Sequence, residues 1–187
     1  SQRQLSDIIE FLPDATLAIN KDKQVIIWNK AIEKMTGIPA SEMIGKGDYA
    51  YSVPFYGTPR PQLMNLVFGE ELSGADASRY QALTREGGTI EAEVFCPALY
   101  NNKGAWVYTR TSPLHDQAGN IIGAIESVRD ITERKLFEES LQEKTAFLEA
   151  QINSSLDGIV LDDADFRRIY TNNKYYEMLN VPQHIID

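Results

Sequence analysis

Two stretches of this 187-residue chain lie over each other without a gap. Residues 14–39, DATLAINKDKQVIIWNKAIEKMTGIP, match residues 157–182, DGIVLDDADFRRIYTNNKYYEMLNVP, at a constant offset of 143. Asp14 meets Asp157, Asn29 meets Asn172, Met35 meets Met178 and Pro39 meets Pro182. Apolar positions follow: Leu17 meets Val160, Ile26 meets Ile169, Ile38 meets Val181, and upstream Ile9 meets Ile152. Both copies read as a helical lead-in, a short apolar strand, an Asp-bearing turn, a second strand and a polar helix ending near Gly37 or Asn180. One unit is therefore a lead-in helix plus a domain. The second copy breaks off at Asp187. Two ordinary β-hairpins are the alternative reading, and the gapless match argues against it.

Between the copies, short helix-compatible pieces are broken by Gly and Pro. Pro61 suits a first helical position, and QLMNLVF after it has apolar residues at near-helical spacing. ALTREGGTIEAEVFCPALY reads as a strand, a REGG turn and another strand. In it Glu91 and Glu93 face away from Ala92 and Val94. AWVYTRTSPL is rich in aromatic and β-branched residues, as strands are. Trp106 and Tyr108 take one face, Val107 and Thr109 the other. HDQAGN is a turn, and IIGAIESVRD is the last strand. The order is two strands, several short helices, then three strands. That is an α+β fold, a five-stranded antiparallel sheet with short helices on one face, followed by a long linker helix. The other sheet face is covered by the lead-in helix or a second subunit.

The last strand runs into RDITERK with no loop. Asp130 and Glu133 have the spacing of a capping box, and Thr132 offers a second cap. An acidic residue there also suits the helix dipole. Beyond it no Pro or Gly occurs until Gly158. Phe137, Leu141, Leu148 and Ile152 are spaced by four, seven and four, a short heptad-like seam interrupted at Lys144 and Thr145. A parallel dimer through this helix is expected; a single amphipathic helix docked on its own domain is the other reading.

The element order, Asn29 after the second strand, the SPLHDQAGNIIG hairpin and the RDITERK ending together resemble the PAS sensory domain. The resemblance covers about residues 13–132 as one domain and 156–187 as the start of a second. The segments are then a lead-in helix (1–12), a PAS domain (13–132), a linker helix (133–155) and a truncated second PAS domain (156–187). Asp130, Ile131 and Thr132 match the family's junction motif, which implies that strain in the domain passes through them and Glu133 into the linker helix. The resemblance places a pocket between sheet and helices. The family's strand phase turns Val107, Thr109, Glu126 and Val128 inward, with Val94 and Cys96. Pairing outward from the hairpin turn sets Thr109 opposite Glu126. A buried carboxylate needs a partner or a proton. Two readings stand: Glu126 lies inside, bonded to Thr109 or a ligand, or it faces solvent over a plain apolar core.

Catalytic and cofactor motifs are missing. His115 falls in a hairpin turn and His184 near the C-terminus, so neither suits a triad's base. IGKGD lacks the spacing of a phosphate loop. The flavin-binding relatives carry an Asn-Cys-Arg-Phe motif on a helix, whereas the single Cys96 lies on a strand. Haem-binding relatives use a helix histidine near QLMNLVFGEE, which has none. No cofactor is expected, flavin and haem are disfavoured, and a small-molecule ligand stays open. Arg60, before Pro61, is an anion-site candidate or an ordinary surface arginine. LDDADF lacks the later Gly and Glu of a calcium loop, so a turn is expected there and no metal. The NSS sequon at Asn153 falls in a linker expected to be cytoplasmic.

One cysteine excludes an internal disulfide. A net charge of −9 argues against nucleic acid and anionic membrane surfaces as partners. No apolar run is long enough to cross a bilayer, no signal-peptide pattern opens the chain, and the cytoplasm is the default compartment. The segment is expected to be no enzyme but a sensory module relaying a small-molecule or partner signal to an output domain in the same polypeptide, a histidine kinase above all. The alternatives are a ligand-free dimerisation module and a flavin or haem redox sensor.

Overall fold

The computed structural model describes residues 2–180 and divides into two compact units, Ser1–Glu133 and Arg134–Asp187. Pro182, His184 and the last residues of the second copy lie outside the described residues. The first unit runs α1 (Gln2–Glu10), β1 (Ala15–Asn20), β2 (Val25–Trp28), α2 (Lys30–Thr36), α3 (Ala40–Met43), the 3-10 turn η1 (Ala50–Ser52), α4 (Val53–Tyr56), the 3-10 helix η2 (Leu63–Phe68) and α5 (Gly74–Ala77). Strands β3 (Gln81–Glu86) and β4 (Thr89–Cys96), the turn α6 (Leu99–Asn102), β5 (Ala105–His115) and β6 (Ile121–Asp130) complete it. Helix α7 (Thr132–Asn153) then leads to β7 (Val160–Asp162), β8 (Arg168–Thr171) and α8 (Asn173–Met178).

The sheet is antiparallel in the order β2-β1-β6-β5-β4-β3. It has six strands where the sequence suggested five. The one left out of that count is β3, the first arm of the REGG hairpin, read as a strand in the sequence, which joins as an edge strand with every residue exposed. Alternation decides the faces of the rest. Ala92, Val94 and Cys96 on β4, and Val107, Thr109 and Thr111 on β5, all point inward and are buried. They meet Leu17, Ile19, Ile32, Tyr51, Met64 and Leu99 in the core. Burial of each large apolar side chain contributes about 1.5–3 kcal/mol.

Pro61 does not open the following helix. Gln62 is its cap, in a capping box: the Gln62 side chain accepts from Asn65 N, and the Asn65 side chain accepts from Gln62 N. Pro61 therefore sits one residue outside.

Asn29 ties the start of the domain together. It caps α2, its Oδ1 accepting from Ile32 N (3.1 Å), and also accepts from Thr16 N (2.9 Å). Its Nδ2 donates to Ile9 O and Asp14 O, both at 3.1 Å, so the end of α1 is satisfied by the same side chain. Every one of these bonds recurs in the second unit at the offset of the sequence match. Asn172 Oδ1 accepts from Tyr175 N (3.1 Å) and Ile159 N (2.8 Å), and its Nδ2 donates to Ile152 O (2.9 Å) and Asp157 O (3.0 Å). The hairpin turns repeat too. Asn20 Oδ1 accepts from Asp22 N and Gln24 N, as Asp163 Oδ1 does from Asp165 N and Arg167 N. Lys23 and Phe166 share the left-handed backbone, with φ of 60° and 59°.

Candidate functional site

Two places concentrate polar groups that the fold did not need: the interior behind β5 and β6, and the joint between β6 and α7.

In the interior, Glu126 is 4% exposed, so the solvent-facing reading does not hold. Its partner differs from the expected one. Thr111 pairs with Glu126 and Thr109 with Val128. The cause lies at the turn, where Asp116 N bonds Asn120 O around a three-residue loop with Gly119 at φ 84°. An irregularity at Leu114/His115 adds the second residue of shift. A shift of two keeps the strand phase, so Thr109 still points inward.

Thr111 Oγ1 donates to Glu126 Oε2 at 2.6 Å, and Gln62 Nε2 donates to Oε1 at 3.2 Å. Burial pushes the Glu126 carboxyl above the usual range, with the Thr111 bond opposing. Around it stand Cys96, whose thiol burial pushes up to about 12, and the Tyr56 and Tyr80 hydroxyls, 3.1 Å apart. Among the described residues no Lys, Arg or His is buried. The hydroxyl of Thr109 is buried and misses good hydrogen-bond geometry, yet it lies near enough to Glu126 to help hold that carboxyl down. Thus Val94, Cys96, Val107, Thr109, Glu126 and Val128 all lie buried on one face. Sequence reasoning missed Thr111, Gln62, Tyr56 and Tyr80. Alternation from Thr109 reaches Thr111, and the Gln62–Asn65 spacing is that of a capping box; the two tyrosines carry no local signal.

Arg60 is spent inside the unit. Its guanidinium bonds Asp76 (3.0 Å) and Thr58 Oγ1 (2.8 Å) and lies 5.3 Å from the Tyr56 ring centre. That leaves it no part as an anion site. His115 is exposed at the end of β5. No three His, Cys, Asp or Glu among the described residues cluster as metal ligands. A surface cleft of about 410 Å³, lined in part by Glu10, Phe11, Lys34, Met35 and Tyr100, opens beside Asp130.

At the joint, one residue separates β6 from α7. Asp130 Oδ1 accepts from Thr132 N at 2.9 Å. Burial would raise the Asp130 carboxyl, but the bonds from Thr132 and Tyr100 outweigh it and hold it below the usual range. Thr132 reaches sideways: its Oγ1 accepts from Trp106 N at 3.0 Å, and Ile131 N donates to Trp106 O at 2.8 Å. The first residues of α7 are thereby fastened to β5. Ile131 is 9% exposed.

Along α7 no residue is buried. Phe137, Leu141 and Leu148 are 70%, 55% and 55% exposed, and Ile152 is half-buried. No helix among the described residues is long and apolar enough to cross a membrane.

An antiparallel sheet closed on one face by short helices, a polar interior and a helix leaving without a loop define an α+β domain of the sensory class. A family model described as the PAS fold matches residues 9–136, and the chain belongs to the PAS family. Phytochrome B-2 of Glycine max is 24% identical over 137 residues, which are 72% of this chain but 11% of the phytochrome. This chain thus spans about a tenth of that relative. An RNA-binding light-oxygen-voltage receptor shares the fold with a TM-score of 0.54 and 17% identity, over 78% of this chain and 37% of the receptor. The PAS domain of a Colwellia psychrerythraea protein gives a TM-score of 0.47 at 18% identity, over 71% of this chain and 98% of that one.

Proposed function

We propose that the chain is the sensory part of a larger signalling protein, with a histidine kinase as the foremost output. A small molecule in the interior changes the arrangement of β5 and β6, and Asp130, Ile131, Thr132 and Glu133 hand that change to α7. Helix α7 pairs with a second copy through Phe137, Leu141, Leu148 and Ile152. It also serves as the lead-in to a second PAS domain beginning at residue 156, because Asn172 holds Ile152 O as Asn29 holds Ile9 O.

The observation that carries this reading is the joint. A flexible connector would absorb movement, whereas here the residues after β6 bond directly to Trp106 of β5. A ligand that prefers one arrangement shifts the population by its differential affinity, typically about 1–3 kcal/mol.

The test uses the full-length parent with its output activity as readout. Asp130→Ala costs about 1 kcal/mol at the helix start, and Thr132→Val removes the bond to Trp106. Both leave the fold intact by circular dichroism and lock the output against stimulus. Output that still responds normally in both variants refutes the relay.

A further inference from the structure

The cleft of about 410 Å³ lies where the end of α1, helix α2 and the end of β6 meet. Small-molecule sites have volumes of about 300–1,000 Å³. Its floor is apolar: Ala15, Met35 and Val128 are buried. On its rim Phe11 is 79% exposed. Most charges on its walls are paired. Arg129 holds Asp14 through two bonds of 3.0 and 2.7 Å, and Lys30 bonds Glu33 at 2.7 Å with Glu10 at 3.7 Å. Lys34 is the exception. It is exposed in the last turn of α2 and has no acid within ion-pair reach among the described residues. The helix dipole favours a cation there, yet leaves the ammonium group free to bond an anion.

The repeat separates scaffold from what is particular to this cleft. At the offset of 143, Asp157 and Met178 stand where Asp14 and Met35 do, but Ser154 and Glu177 stand in place of Phe11 and Lys34. The lead-in and the cap on the following helix therefore need neither the aromatic ring nor the cation. We infer that this cleft is a second ligand site, separate from the interior, and that it takes a small molecule with an aromatic body and a single negative charge. Met35 and Val128 receive the body, Phe11 covers its outer side, and Lys34 Nζ meets the anion. Complementarity sets the limit of one charge, because a second would face Glu10 and Asp130 on the same walls. Apolar burial supplies most of the affinity, and the Lys34 pair supplies the choice between charge types. A ligand here lies against Arg129 and Asp130, the last two residues of β6, so it bears on the start of α7 without passing through Glu126.

The test compares three probes of one shape, 2-naphthoate, 2-naphthamide and naphthalene-2-carboxamidine, by isothermal titration calorimetry on the whole chain at neutral pH. Naphthoate is expected to bind about three- to fivefold more tightly than the amide, and the amidine most weakly. The advantage of naphthoate should vanish in about 1 M salt, where charges are screened within about 3 Å. Lys34→Gln brings naphthoate down to the level of the amide, and Phe11→Ser weakens both several-fold. Both side chains are exposed, so neither variant disturbs the core. In the amide NMR spectrum naphthoate should move Phe11, Ala31 and Arg129 ahead of the interior strands. Amidine binding as well as naphthoate, a naphthoate preference that survives Lys34→Gln, an unchanged affinity in Phe11→Ser, shifts centred on the interior strands, or no binding by any of the three overturns the inference. Each of those results leaves the sensory reading standing, since that reading falls by the joint variants, which use no probe.

Discussion

Replacement of Asn29 by Ala removes four hydrogen bonds at once, and their cost can be worked out singly. The lost cap on Ile32 N is worth about 1 kcal/mol, since a helix start recovers some water. Thr16 N is different: Thr16 is 2% exposed, so its amide is left buried and unpaired, at about 1–3 kcal/mol. The Ile9 and Asp14 carbonyls are partly exposed and lose little. The expected loss is therefore about 2–4 kcal/mol, a large part of a typical domain's stability of about 5–15 kcal/mol. Urea unfolding followed by tryptophan fluorescence measures it, because both tryptophans, Trp28 and Trp106, lie in the first unit. With a slope of ~2 kcal/mol per M, the midpoint falls by roughly 1–2 M. Asn29→Asp keeps both acceptor bonds, drops both donor bonds and puts a charge at a site 1% exposed. It should speed amide exchange at Phe11 and Leu12, which bond back into the end of α1. Asn172→Ala, in the other unit, should leave the fluorescence transition where it is. A midpoint for Asn29→Ala within ~0.3 M of the parent chain would refute the reasoning.

Glu126→Gln should change how stability depends on pH. The folded carboxyl titrates above its unfolded value, so its contribution is fully present below about pH 4 and is lost as pH rises through the raised folded value. Tyr51, Tyr56, Tyr80 and Cys96, the titratable groups around it, stay neutral across that window. The variant should unfold at a higher urea concentration than the parent near pH 7, with the gap closing toward pH 4; equal slopes against pH would count against a buried carboxyl that has no cation beside it. Leu141→Asp with Leu148→Asp should convert a dimer to monomer in sedimentation equilibrium without loss of folded signal, and an unchanged mass would remove α7 as the seam.

How far the sequence reaches depends on whether a feature is local. The Asp-bearing turns and the strand–turn–strand–helix order depend on residues a few positions apart, and the repeat presented them twice; the faces of β4 and β5 followed from alternation alone. The arm before REGG reads as a strand, but the count of five left it out; as β3 it buries nothing, so no core-facing alternation ties it to the sheet. The Thr109–Glu126 pairing slipped because register is set by a turn and a bulge whose lengths composition does not reveal. Trp106 as the anchor of Thr132 was invisible, since the bonds involve its backbone and the two stand 26 positions apart. The inward face itself was readable once the family resemblance supplied the strand phase. Gln62 was hidden because its role joins η2 to β6 across 64 residues.

That last set of contacts bears on how a signal would travel. Glu126 and the joint both belong to β6, yet the bonds that matter at each run across to β5. Glu126 takes its proton donor from Thr111, and the start of α7 is held by Trp106. Those two β5 residues are five apart, about 17 Å along a strand. A change confined to β6 would be blocked at Trp106, because the first residues of α7 are bonded to its neighbour. What α7 can feel is a slide or twist of β5 against β6. An event at Glu126 produces one, on the proposed reading, by weakening the Thr111 bond. On the proposed reading, Thr111→Val should then mimic a permanent stimulus or a permanent absence of one in the parent's output, while Ser at the same position, which keeps the hydroxyl, should preserve the response. A Val variant that responds like the parent would mean that the interior and the joint are not connected through this strand pair.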